Sequence, residues 1–207
     1  ALATIAMKGR PVKIAMSREE TFLATTKRHP FVMDYTIGAN RDGKIIALTA
    51  DIIADTGAYA SWAPNILRKA LVHGAGAYAI DHIAIDARSV YTNNGYSGAF
   101  RGFGAPQVFF AVESIVDELA EAIGMSPAEF REKNRLQLNS HTATNQVLHA
   151  SVGLPECLDR VNQSLGWKTH QGLSDDGQWL RGVGIAIGYY GIGYGNGIPD
   201  IGSAILS

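Results

Sequence analysis

A single cysteine, Cys157, stands in a chain of 207 residues. That excludes an internal disulfide framework and any cysteine-ligated zinc or iron–sulfur site within the chain, and it points to a reducing compartment, the cytoplasm. An excess of one charge is also missing, since 18 Lys and Arg stand against 19 Asp and Glu. There is no basic stripe for nucleic acid and no acidic tail. Apolar runs are short: Gly, Asn, Asp or Lys interrupts each of them well before the roughly 18 residues of a membrane span. Residues 1–8 lack the length and basic flank of a signal peptide. No Gly-x-Ser-x-Gly surrounds Ser97, so the serine-hydrolase elbow is excluded. The six histidines, His29, His73, His82, His141, His149 and His170, show no i, i+4 pair and no carboxylate at metal-ligand spacing, so no histidine metal site is expected.

What the chain has in abundance is glycine, 23 residues of it, against an average usage of about 7%. The distribution is uneven. Eight glycines fall between Gly182 and Gly202, and others cluster in Gly98-Ala99-Phe100-Arg101-Gly102-Phe103-Gly104. Glycine weakens element interiors, so such clusters suggest close approach of backbone to another group. Because Gly191, Gly193, Gly195 and Gly197 alternate, an extended segment there would have one face of bare backbone. That face and the backbone at Gly102 and Gly104 are read as room left free of side chains.

Periodicity and caps give an α+β fold of mixed sheets with hairpin strands and packed helices. Residues 1–8 read as the end of an apolar helix, and residues 11–16 as a short buried strand. Ser17-Arg18-Glu19-Glu20 is a capping box. Residues 31–37 and 45–54 form a hairpin through Asn40-Arg41-Asp42-Gly43. A helix follows over 65–73 and a strand over 83–92. The best helix follows Pro106, with Val108, Val112, Ile115, Val116, Leu119 and Ile123 on one face and Gly124 at its end. Glu113, Asp117 and Glu121 read as its solvated acidic face, and Asp55 reads as a turn former. Ser126-Pro127-Ala128-Glu129 opens a helix to about 136, and 155–165 forms another. Strands are expected at 182–187 and 204–207. Residues 1–165 read as one core segment and 178–207 as the start of a second domain. Neither end reads as a domain boundary, so the chain is expected to be a piece of something larger or a naturally split subunit.

The loop from Ser97 to Gln107 stands out for its chemistry. Lying between a strand and the best helix, it can bring backbone N–H groups, the Arg101 guanidinium and an aromatic face to one point. That suits an anionic or oxo-bearing ligand beside a flat substrate. The same residues could equally form a tight turn, with Phe100 and Phe103 as core anchors and Arg101 reaching solvent.

Residues 98–107 resemble the Ala-Phe-Arg-Gly-Phe-Gly-Gly-Pro-Gln signature of the molybdenum-binding subunit of the xanthine dehydrogenase and aldehyde oxidase family. Gly9-Arg10-Pro11-Val12, Lys27-Arg28-His29-Pro30-Phe31, Asp42-Gly43-Lys44-Ile45, Asp55-Thr56-Gly57-Ala58-Tyr59 and Glu132-Lys133-Asn134 are similar to that family's pattern in the same order. The resemblance implies hydroxylation of a heteroaromatic ring (xanthine- or nicotinate-like) or of an aldehyde, with oxygen from water. It implies a molybdenum–molybdopterin cofactor, in the cytosine dinucleotide form in bacteria, with FAD and 2Fe-2S clusters on other domains or subunits. Arg101, Phe100 and Gly102 match cofactor-binding positions, with Arg101 at the molybdenum centre through its backbone. Phe103, Lys69, Tyr194 and Gly195 match substrate-binding positions. Lys69 stands where purine-oxidising members carry an arginine, with Arg68 beside it, and Gly195 where they carry a threonine; both changes point away from a purine. The resemblance also implies that a Gly-Gly-Phe-Gly segment precedes Ala1, and that the general-base glutamate follows Ser207, so no catalytic residue is assigned within the chain. Implied partners are iron–sulfur and FAD subunits and the remainder of the molybdenum subunit. A noncatalytic docking module on the same fold is the alternative, which the intact loop argues against.

Overall fold

The fold, taken from a computed structural model, is described for residues 1–165, 172–173, 177–193 and 201–206. Its centre is a three-stranded sheet of β1 (Phe31–Ala39), β2 (Ile45–Gly57) and β3 (His82–Tyr91). β1 and β2 are the antiparallel hairpin that Asp42-Gly43 predicts. Gly43 sits at φ +81° and its N–H donates to Asn40 O at 2.9 Å. β3 runs parallel to β2. A parallel partner needs a crossover, and α3 (Ala63–His73) supplies it.

One face of the sheet is apolar and covered. In β2, Leu48, Ala50, Ile52, Ala54 and Thr56 are buried while Thr49 is exposed and Asp51, Ile53 and Asp55 are half-buried, the period of two expected of a strand packed on one side. The covering elements are α3 and α4 (Ala105–Ala122). Val108, Val112, Val116 and Ala120 are fully buried at i, i+4 spacing along α4. Each such valine contributes about 1.5–3 kcal/mol relative to exposure. α5 (Pro127–Asn134) opens with the expected capping box, in which Ser126 and Glu129 bond reciprocally, and α2 (Arg18–Ala24) does the same with Ser17 and Glu20. α1 (Leu2–Ala6) and α6 (Leu154–Leu165) complete the helices, and Gly172–Leu173 pairs with Leu180–Arg181. No helix among the described residues is long and apolar enough to cross a membrane.

Several sequence expectations are corrected. Residues 11–16 are exposed and form no strand, since no neighbouring strand offers its backbone a ladder. Residues 182–187 are not a paired strand either, nor are 204–206. From 183 to 191 the odd residues turn inward and the even ones outward, so the segment is extended. It lies against the helices rather than a sheet edge, and Ile185, Ile187 and Tyr189 join the same core as α4.

Glu113 is corrected as well. It is buried, not solvated, and accepts hydrogen bonds from Tyr78 Oη (2.6 Å), Arg131 Nε (2.8 Å) and Ile187 N (2.9 Å). Arg131 is itself fully buried and also reaches Asp117 at 2.6 Å. A fully buried guanidinium needs such a paired carboxylate beside it.

Candidate molybdopterin-binding loop

The signature loop is a left-handed turn wedged between α3 and α4. Gly102, Phe103 and Gly104 have φ of +94°, +50° and +96° in succession. The glycines are fixed by the chain itself: a Cβ on Gly102 would lie 2.3 Å from Pro106 Cγ, and one on Gly104 would lie 2.5 Å from Ile66 O. The room read from the sequence at these two positions is therefore filled by Pro106 and α3. Phe103, a bulky residue in the left-handed region, carries strain of order 1–3 kcal/mol, and strain of this kind clusters at ligand sites.

This turn leaves donors unused. The backbone N–H groups of Arg101, Gly102 and Gly104 have no acceptor among the described residues, and the 18-residue α4 starts here with no side-chain cap. The positive end of the helix therefore faces the loop. Two guanidiniums add to it. Arg101 is exposed, and Arg28 donates through Nη2 to Arg101 O at 2.7 Å while lying 4.9 Å from the Phe100 ring centroid. Sequence reading quoted Arg28 only as part of a motif; nothing local signals that it braces a loop 73 positions away. Gln107 Nε2 donates to His29 O at 3.3 Å, tying the same segment to the start of β1. The donor set of free N–H groups, a helix N-terminus and two arginines suits an anionic, oxygen-bearing group.

Beside it, Phe103 meets Trp62 edge to face at 6.2 Å between centroids. Trp62 was not singled out from the sequence, and its place at the start of α3, one turn ahead of Ile66, is what brings it to the loop. His29 is buried beneath the loop. Neither of its ring nitrogens has a hydrogen-bond partner of good geometry, and burial holds its pKa below the usual imidazole value, with the Gly98 backbone and Asp55 opposing. Asp55 is the turn former expected, accepting from Gly57 N, Thr92 Oγ1 and Asn94 Nδ2.

The other assigned positions lie elsewhere or beyond description. Lys69 is on α3, with its ammonium on Gly191 O (2.8 Å) and Gly193 O (2.7 Å). Arg68 is exposed. Tyr194 and Gly195 fall outside the described residues. Among the described residues no three His, Cys, Asp or Glu side chains converge for a metal ion. The recess of about 570 Å³ lined by Ile80, Asp81, His141 and Thr142, among others, includes no residue of the loop.

Comparison with known proteins shows the family. Residues 1–135 match the molybdopterin cofactor-binding domain family. The chain is 44% identical over 154 residues to the nicotinate dehydrogenase large molybdopterin subunit of Eubacterium barkeri, covering 74% of this chain and 36% of that protein. It is 39% identical over 188 residues to a putative xanthine dehydrogenase molybdenum-binding subunit of Escherichia coli, covering 90% and 25%. It thus spans only about a quarter to a third of these relatives. In structure it is similar to the aldehyde oxidoreductase of Desulfovibrio gigas, with a TM-score of 0.69 at 36% identity, over 78% of this chain and 18% of that one. The chain belongs to the molybdopterin cofactor-binding domain family, in the group of molybdenum-containing oxidoreductases that includes xanthine dehydrogenase and aldehyde oxidoreductase.

Proposed function

We propose that this chain forms one wall of the cofactor and substrate site in a molybdopterin-dependent hydroxylase acting on a heteroaromatic ring or an aldehyde, with oxygen from water. The observation that carries the reading is the set of unused N–H donors at the uncapped start of α4, flanked by Arg28 and Arg101. When bound, a molybdenum–molybdopterin group, in its cytosine dinucleotide form, supplies the two-electron oxidation and the oxygen transfer. The residues of this chain hold and orient. Arg101 and Gly102 would hold that group through their backbone N–H groups, Phe100 would cover the contact, and the Arg101 cation would stabilise negative charge there. Phe103, stiffened by its backbone and by Trp62, offers a flat wall for a planar substrate, which orients the reacting carbon. Tyr194 and Gly195, outside the described residues, are assigned to the substrate by the family resemblance alone. We take residues 178–207 as the beginning of a second molybdopterin domain.

Partner subunits carrying FAD and 2Fe-2S clusters would supply the electron acceptors, the general base would come from outside this chain, and the complex would work in the cytoplasm. Metal and pterin analysis of the purified complete enzyme tests the reading, with molybdenum and pterin expected near stoichiometric amounts. A preparation active yet free of both, or one retaining only a docking role, would sink it. Arg101→Ala should lower kcat by about 100-fold or more with the fold intact by circular dichroism; normal turnover in that variant removes the Arg101 guanidinium from the site, since the backbone N–H is unchanged.

A further inference from the structure

Lys69 and His73 stand one turn apart on α3, and both are committed to the same short stretch of backbone. Lys69 Nζ donates to Gly191 O and Gly193 O at 2.8 and 2.7 Å, and lies 4.8 Å from the Tyr190 ring centroid. An ammonium has three protons; two go to carbonyls and the remaining side of the charge faces a π-surface. His73 is fully buried. Its Nδ1 lies 2.7 Å from Lys69 O, and its Nε2 accepts from Gly191 N at 3.0 Å. A carbonyl can only accept, so Nδ1 carries the proton and Nε2 is bare, the neutral tautomer. The ring is stacked on Tyr190 and tilted against Tyr189, which donates to Val72 O at 2.9 Å. The side-chain-free face of Gly191 is therefore turned to α3, not to open space: a Cβ there would lie 3.8 Å from both Lys69 Nζ and His73 Nε2.

We propose that Lys69 and His73 are positioning residues, which clamp the backbone of residues 191–193, and that Lys69 acts on substrate only through that backbone. The substrate half rests on the molybdopterin reading above; the clamp itself does not. A substrate-reading lysine would keep its ammonium free for the ligand, whereas this one would have to abandon two carbonyls first.

The test uses the complete enzyme with Lys69→Met, Lys69→Arg and His73→Phe, and follows hydrogen–deuterium exchange in peptides spanning 189–193. Lys69→Met and His73→Phe should accelerate exchange there by at least about tenfold, while α4 peptides stay protected; Lys69→Arg, which keeps donors, should restore most of the protection. Unchanged exchange in Lys69→Met overturns the clamp, even if His73→Phe fails to fold. Kinetics with nicotinate as an anionic probe and benzaldehyde as a neutral one address the second half. A fall in kcat shared by both probes and rescued by Lys69→Arg supports positioning, and a rise in KM confined to nicotinate overturns it. Molybdenum and pterin are measured on the same samples. Their absence refutes the molybdopterin reading, while the exchange result still decides the clamp.

Discussion

Gly104 is the residue on which the signature loop turns. Its φ of +96° is open to glycine and strained for any L-residue, and a Cβ would also meet Ile66 O at 2.5 Å. Gly124, at φ +72° with nothing within 4 Å, isolates the conformational part of that cost. Gly124→Ala should therefore destabilise by about 1 kcal/mol. Gly104→Ala should destabilise by about 2 kcal/mol or more, because it also pushes α4 away from α3, and it should reduce the molybdenum content of the purified enzyme. Urea unfolding of both variants makes the comparison; equal losses would mean that the close approach to Ile66 carries no energy. At this scale the sequence was partly legible. The cluster of glycines pointed to close backbone contact, but the partner is Pro106 and Ile66 of the chain itself, information held in packing and not in spacing. Lys69 and His73 four positions on were equally visible as letters, yet their common partner, Gly191, lies about 120 residues downstream.

α4 shows how a helix can be read correctly in outline and wrongly in one position. Its start, its apolar stripe and its end at Gly124 all follow from period and punctuation, and the structure places them as expected. Glu113 escaped because hydropathy assigns a carboxylate to water, while its partners come from three other segments: Tyr78, Arg131 on α5 and Ile187 in the extended run. The network links α5 and residues 185–187 to the sheet-covering helix. Its members are buried, and Tyr78 is held protonated, its pKa raised well above the usual phenol by burial and the neighbouring carboxylate. Removing the carboxylate leaves a guanidinium that is 0% exposed with Asp117 as its remaining anionic partner. Glu113→Ala should accordingly destabilise by about 3 kcal/mol or more, and Glu113→Gln by less, since an amide oxygen still accepts one bond. Chemical denaturation monitored by circular dichroism measures both, and a loss below about 1 kcal/mol for the alanine variant would show that the network is not coupled to folding.

Across the whole molecule, the hairpin, the crossover helix and the capped helices were legible because each is specified locally, by turn chemistry, period or cap. The extended run from 183 to 191 was not, because its alternation of inward and outward residues is that of a strand, and only the absence of a ladder partner among the described residues tells it apart. Two buried histidines hold the ends of this arrangement, His29 beneath the loop and His73 beneath the extended run, and both have pKa values lowered from 6.5 chiefly by burial. The Lys69 ammonium lowers His73 further, against its bond to Lys69 O. In the unfolded chain each imidazole takes a proton near its ordinary value, while in the folded protein it takes one only at lower pH. Between those two values the unfolded state binds more protons, so stability is fully present above about pH 6.5 and is lost as pH falls toward the folded values. Protonating His73 also replaces the acceptor for Gly191 N–H with a second donor, so the 189–193 segment should open in the same window. The melting temperature of the wild type should drop on acidification from about pH 7.5 to about pH 5.5. In a His29→Leu, His73→Gln double variant that slope should flatten, because Leu needs no partner in the site where both His29 nitrogens lack one. An unchanged slope in the double variant would assign the acid sensitivity to other groups.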